Sequence, residues 1–178
     1  MIHTEENLLM KKIYLFILIG TILAFGYIGI GLLDFFNHVI GYVLIILGVY
    51  YLNQTRHHEL LTLSQYLTVG LLCFELLKGG ILRVIGNQAI TAFFIILLIM
   101  IIRSLLFYLI IKVEGDTSES LAVQTYQQAT LLLSIGSILF YIISCFIPSA
   151  ITLFAMLDLG LYAFLIYTFY QIRNMHRF

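Results

Sequence analysis

The sequence predicts an all-α integral membrane protein, with six transmembrane helices arranged as three antiparallel hairpins in one membrane domain over residues 1–178. Hydrophobic residues make up 62% of the chain and charged residues 10%, against about 45–50% and about 25% in soluble proteins. The mean hydropathy is +1.06. Apolar runs of about 20 residues recur, a length that crosses the roughly 30 Å hydrocarbon layer as a helix. Lipid offers the backbone no hydrogen-bond partner, so such runs predict helices.

The N-terminal region has the pattern of a signal peptide. Lys11 and Lys12 precede an apolar run, as the charged and hydrophobic regions of a signal peptide do. More apolar sequence follows where a secreted domain would begin, so we expect a retained first span. Met10 stands directly before the lysines and is a second candidate start beside Met1.

The first hairpin is predicted from one long apolar stretch with a polar interruption. Span 1 is expected near 13–33 and span 2 near 37–53, with a tight, water-facing turn at 34–38. The polar side chains of that turn are Asp34, Asn37 and His38.

The second hairpin is predicted between two polar segments. A polar connection over 53–65 leads into span 3 at about 66–85. A turn at 86–88 then leads into span 4 at about 89–111.

The third hairpin follows the most polar stretch of the chain, 112–120. Asp116 and Glu119 have the spacing of a capping box, which predicts a helix start there. Span 5 is expected at about 129–147, ended by the only proline, and span 6 at about 149–171.

We expect a protein of the plasma membrane. The distribution of Lys and Arg predicts that its N- and C-termini are cytoplasmic, because short cytoplasmic loops are rich in these residues. The predicted inner side holds Lys11, Lys12, Arg56, Lys112, Arg173 and Arg177. The predicted outer side holds Lys78 and Arg83.

Arg103 is a permanent cation inside a predicted span. A charge there costs about 2.5–3.5 kcal/mol on insertion scales, and Arg103 lies roughly 13 Å from the inner boundary, too far to reach it fully. We therefore expect a carboxylate partner, which is Glu75 of span 3, Asp158 of span 6, or both. Lys78 shares a helix face with Glu75 and competes for it.

This predicted intramembrane charged cluster has two interpretations. Buried ion pairs can fix which helices meet, or the same charges can line a site for a solute or for protons. Gly79 and Gly80 beside Lys78 and Arg83 also leave two interpretations open: a frayed helix end with snorkelling cations, or a basic mouth for an anion or a lipid headgroup.

No catalytic residue, metal ligand or cofactor is predicted. The histidines of "RHHE", 56–59, lack a His-Glu-x-x-His pattern, so a solvated loop is favoured over a metal site. His58 and Cys73 are not favoured as a catalytic pair, because a cysteine in apolar surroundings is usually inert. An enzyme is therefore disfavoured.

The glycines of the first two spans predict close helix packing, because small residues let helices approach. Gly20 and Ala24 form a small-xxx-small pair, and Gly41 and Gly48 lie one heptad apart. Contact within one chain is favoured over dimerisation. Hydrogen bonding to backbone or to another helix is predicted for the span 5 serines Ser134, Ser137 and Ser144.

"LLDFFNHVIGYVLIILGVYYL", 32–52, resembles a segment of small, uncharacterised multi-span membrane proteins of Gram-positive bacteria. Gly41, Tyr42, Leu44 and Ile45 match, while Asn37-His38 replace a Pro-Asp pair. The resemblance implies no activity. Size and span count are also similar to the substrate-binding subunits of energy-coupling-factor vitamin transporters, although Gly20-x-x-x-Ala24 replaces their Ala-x-x-x-Ala contact motif.

The function expected from the sequence is that of a non-enzymatic accessory or interaction subunit in the membrane. The alternative is a small-solute binding or transport component lined by the intramembrane charges. The expected partners are the lipid bilayer and either a membrane protein or a small solute. The net charge of zero gives no basis for nucleic-acid binding.

Overall fold

The computed structural model describes residues 2–26, 31–85, 89–118 and 120–176. Six long helices make up almost all of this described part, and each is long and apolar enough to cross a membrane. The helices are α1 (Ile2–Phe25), α2 (Gly31–Arg56), α3 (Glu59–Ile85), α4 (Ala89–Ser118), α5 (Leu121–Ser144) and α6 (Ala150–Met175).

The chain divides into two compact units. Unit 1 comprises Met1–Glu75 and Leu165–Phe178, and unit 2 comprises Leu76–Phe164. Unit 1 therefore holds α1, α2, the first part of α3 and the end of α6. Unit 2 holds α4, α5, the end of α3 and the first part of α6.

Unit 1 is organised around a close approach of α1 and α2. A Cβ atom added to Gly41 would lie 2.3 Å from the backbone nitrogen of Ala24, and one added to Gly20 would lie 2.8 Å from the Gly41 carbonyl oxygen. Only glycine permits such backbone contact at these positions. The predicted glycine packing within one chain is confirmed. Wholly buried apolar side chains that accompany it are Tyr14, Ile17, Ile45, Val49 and Leu52.

Unit 2 has an apolar core on α4 and a polar buried face on α5. Leu106, Phe107 and Ile110 of α4 are wholly buried, and α4 packs against α5. The buried residues of α5 are Val123, Thr130, Ser134 and Ser137. Three of these four carry hydroxyl groups, so α5 turns its polar side inward.

The predicted turn at 34–38 is wrong, because these residues lie inside the first turns of α2. Asp34 is buried in the first turn, where the helix dipole favours a negative charge. His38 forms a hydrogen bond with Glu75. Asp34 and His38 therefore lie within a helix that packs against protein, and not in a water-facing turn.

The predicted polar connection over 53–65 is also wrong. In the structure only His57 and His58 separate α2 from α3. His57 has a φ of 49°, a left-handed conformation that reverses the chain in little space. The Asn53 amide donates to the Thr62 hydroxyl at 3.0 Å across this turn. The polar residues of this segment lie at the ends of α2 and α3 and do not form a loop.

The predicted helix start at Asp116 is also wrong. The α4 helix continues through Ser118, and α5 follows Ser120, whose side chain makes no capping hydrogen bond. The Thr117 and Ser118 hydroxyls donate to the carbonyls of Val113 and Glu114 at 2.8 and 2.6 Å. These bonds satisfy the two hydroxyls within the helix, as Ser and Thr commonly do in helices.

Some predictions fall outside the described residues. These are the turn at 86–88, the cap at Glu119, Arg177 and the side chain of Arg83. Gly79 and Gly80 lie inside α3. The single membrane domain and its orientation stay predictions.

Candidate functional site

Arg103 and Asp158 form an ion pair within unit 2. Arg103 lies at the middle of α4 and donates from its guanidinium to the Asp158 carboxylate on α6. The two side chains keep 20% and 30% of their surface exposed. The two opposite charges therefore compensate each other, and both side chains stay partly exposed.

The α5 helix supplies hydroxyl groups to this pair. The Ser137 hydroxyl donates to the same Asp158 oxygen at 3.4 Å. Ser134 lies three residues earlier on the same helix face and is 5% exposed. Its buried hydroxyl has no hydrogen-bond partner among the described residues. The site thus combines a compensated charge pair with one satisfied and one unsatisfied hydroxyl.

Aromatic and amide side chains bound this region of α5 on both sides. The Tyr141 ring stacks on Phe93, with centroids 5.2 Å apart and an interplanar angle of 11°, and packs against Phe154 at 5.2 Å. Toward the start of α5, Tyr126 lies four residues before Thr130. Next to it, the Gln127 amide donates to the Tyr108 hydroxyl at 3.0 Å. These contacts hold α4, α5 and α6 in register around Arg103 and Asp158.

The four residues of the predicted charged cluster fall in different places. Arg103 and Asp158 meet in unit 2, and Lys78 is half-buried on the part of α3 that belongs to unit 2. Glu75 lies in unit 1, where its carboxylate and the His38 ring nitrogen Nδ1 are 3.1 Å apart.

The His38–Glu75 contact was missed at the level of sequence. Asp34 and His38 are spaced i, i+4, which places both on one helix face once they are recognised as helical. That spacing was the available signal, but a turn was predicted there. The described residues contain no group of three or more His, Cys, Asp and Glu side chains arranged to hold a metal ion.

The polar spacing along α5 was only partly recognised. The sequence singled out its serines, but Gln127, Thr130 and Tyr141 fall on the same face at intervals of three or four residues. Helical spacing of polar residues inside an apolar run was the signal that could have found them.

Comparison of the chain with protein-family models, curated proteins and solved structures returned no match.

Proposed function

We propose that this chain is a six-span protein of the plasma membrane, with both termini cytoplasmic and three antiparallel hairpins, that acts as a non-enzymatic accessory or interaction subunit. The observation that carries the proposal is the surface of the α5–α6 hairpin. No charged residue occurs between Glu119 and Asp158, a stretch that includes the turn between the two helices.

The turn of this hairpin is unusually apolar. Phe146 is 82% exposed, and its neighbour Ile147 is also exposed. A turn that faces water at a membrane surface normally carries polar or charged residues, and adjacent exposed apolar residues mark interaction sites. The missing charge favours a partner with a similarly apolar surface, namely another membrane protein.

The apolar surface of the turn continues along α5 and α6. Only 17% of the apolar window of each helix is buried, against 44% for α1. Lipid can cover such faces, because acyl chains are as apolar as leucine. The exposed turn is therefore stronger evidence for a protein partner than the helix faces are.

A photo-crosslinking residue placed at Phe146 tests the proposal in native membranes. The matched position is Tyr66, which is also strongly exposed but lies on α3 in unit 1. We expect one protein cross-linked in stoichiometric amount from position 146 and not from position 66. We also expect Phe146→Gln to abolish co-purification of that protein. Cross-links from position 146 to lipid alone would refute the proposal.

The second candidate is a small-solute binding or transport component. It is favoured by the partial exposure of Arg103 and Asp158 together with the unsatisfied Ser134 hydroxyl. Purification in native lipid followed by mass spectrometry tests it. A metabolite retained by the wild type and lost in Asp158→Asn supports this candidate, and equal retention by both chains opposes it.

A further inference from the structure

A continuous line of polar side chains runs along one face of α5. We call it the α5 polar stripe and define it as Gln127, Thr130, Ser134, Ser137, Tyr141 and Ser144. Its members recur every three or four residues, which is the period of one helix face. From first to last the stripe measures about 26 Å at helical rise, close to the roughly 30 Å of a hydrocarbon layer.

The central part of this stripe faces inward. Thr130, Ser134 and Ser137 are buried, while Leu132 and Ile135, which interleave with them, are exposed. In this part of α5 the hydroxyl groups are buried and the apolar side chains are exposed. Because Ser137 contacts Asp158, the stripe and the Arg103–Asp158 pair belong to one polar region.

Three hydroxyls of the stripe, those of Thr130, Ser137 and Ser144, have partners, and the buried hydroxyl of Ser134 has none among the described residues. Thr130 donates to the Tyr126 carbonyl at 2.8 Å and Ser144 to the Tyr141 carbonyl at 2.6 Å. Such bonds to the preceding turn are the usual solution for a hydroxyl in an apolar helix. Ser134 does not use it, and its buried hydroxyl is unsatisfied among the described residues.

An unsatisfied buried hydroxyl is costly, at about 1–3 kcal/mol. Buried polar groups in proteins are almost always bonded to protein or to ordered water. Ser134 stands between Thr130 and Ser137, within one turn of the hydroxyl that contacts Asp158. A small ligand at this point would have hydroxyl, carboxylate and guanidinium groups within reach.

We infer that the centre of the α5 polar stripe, at Ser134 and Ser137 beside Arg103 and Asp158, is a hydrated site that accepts water and small, uncharged hydrogen-bonding solutes. The site is selective for neutral species because Arg103 and Asp158 already compensate each other, so an added ion would bring an uncompensated charge into a membrane-spanning region. The inference deepens the second candidate function by naming its ligand class. It does not depend on the proposed partner protein.

Neighbouring side-chain contacts bound the proposed site along the helix. Tyr141, held between Phe93 and Phe154, follows Ser137 by one turn. The Gln127–Tyr108 hydrogen bond precedes Thr130 by about one turn. Both sets of side chains occupy the same face, and the polar side chains between them, from Thr130 to Ser137, extend over about 10 Å at helical rise.

Thiol labelling measures hydration at this site, because the reactive species is the thiolate, which forms in contact with water and not in hydrocarbon. The background is Cys73→Ala/Cys145→Ala, which removes both native cysteines, each exposed. Ser134→Cys and Ser137→Cys report on the stripe. Leu132→Cys and Ile135→Cys report on the exposed face of the same helix. The probe is methyl methanethiosulfonate, a small uncharged reagent, applied to the full chain in lipid vesicles.

We expect the buried positions 134 and 137 to react at least about tenfold faster than the exposed positions 132 and 135. This order is the reverse of what exposure alone would give. Equal, slow labelling at all four positions would show a dry helix interface and overturn the inference. Faster labelling at 132 and 135 would also overturn it.

A charged reagent tests selectivity. A trimethylammonium thiosulfonate should label Ser134→Cys at least about tenfold more slowly than the uncharged probe, relative to their rates with a free thiol. Equal relative rates would overturn the claim of neutral selectivity. Neither measurement involves a partner protein, so a failure here leaves the cross-linking test at Phe146 unaffected.

Discussion

Units 1 and 2 hold their helices together in different ways. In unit 1 the backbones of α1 and α2 touch at Gly20 and Gly41, so the contact depends on missing side chains. In unit 2 the helices meet through polar side chains, Arg103 with Asp158 and Gln127 with Tyr108. Lipid tails compete equally with apolar side chains, so helices in a bilayer associate through close packing and polar contacts. The α1–α2 contact of unit 1 depends on close packing, and the contacts around Arg103 in unit 2 depend on polar side chains.

The two units also differ in the cation of their polar pair. Arg103 is charged at every accessible pH, so loss of Asp158 leaves a fixed charge behind. A histidine ring, unlike a guanidinium, carries a charge only if protonated, so the loss of Glu75 leaves no permanent charge behind. The same kind of contact is therefore a stronger constraint in unit 2 than in unit 1.

The largest predicted effect tests the backbone contact of unit 1. Gly41→Ala would place a Cβ atom 2.3 Å from the Ala24 nitrogen, and backbone atoms cannot yield as a flexible side chain can. We expect a loss of about 3 kcal/mol, the upper end of typical overpacking costs. The free energy of unfolding in mixed micelles measures it.

The control is Gly70→Ala in the same unit, where an added Cβ would meet nothing within 4 Å. Alanine is a better helix former than glycine by about 1 kcal/mol, so this variant should be unchanged or slightly more stable. Equal losses at positions 41 and 70 would contradict the importance of close approach.

The next effect concerns the ion pair of unit 2. Asp158→Ala should destabilise the protein by about 2 kcal/mol, less than the roughly 3–5 kcal/mol of a fully buried pair, because both side chains are partly exposed. The double variant Arg103→Leu/Asp158→Leu should recover most of this loss, since it removes the unpaired charge. No recovery in the double variant would argue against the pair, and the same unfolding titration decides it.

A smaller effect is expected at the polar pair of unit 1. Glu75→Gln should cost about 1 kcal/mol, the scale of one hydrogen bond, because it weakens the 3.1 Å contact with His38 and leaves no permanent charge unpaired. Asp116→Asn is the matched carboxylate-to-amide change at an exposed position and should leave stability unchanged. A loss at position 75 as large as that of Asp158→Ala would remove the distinction between the two pairs.

The smallest effect tests the polar contacts of unit 2 one by one. Gln127→Leu removes the 3.0 Å bond to Tyr108 and should cost about 0.6 kcal/mol, the average for interhelical hydrogen bonds in membranes. Gln124→Leu changes an exposed residue of the same helix and serves as the comparison. A thermal-stability ranking of the two detergent-solubilised variants is sufficient, and a lower stability for Gln124→Leu would contradict the prediction.

Hydropathy was a good guide to the helices and a poor guide to their ends. Apolar runs located all six, because a run of about 20 apolar residues reports on one segment alone. The connections at 34–38, 53–65 and 112–120 were misplaced because polarity was equated with loops. His38 and Asn53 instead find partners on another helix, which no local pattern reveals, and Thr117 bonds its own helix.

The sequence by itself determined that this chain forms apolar helices, that α1 and α2 can approach closely through glycine, and that Arg103 requires a partner. These follow from residue chemistry and local spacing. Only the tertiary structure decided that Asp158 takes that role, that Glu75 meets His38, and that the hydroxyls of α5 face inward. The physical reason is that a charge specifies the kind of partner it needs, whereas helix packing selects which candidate lies within reach.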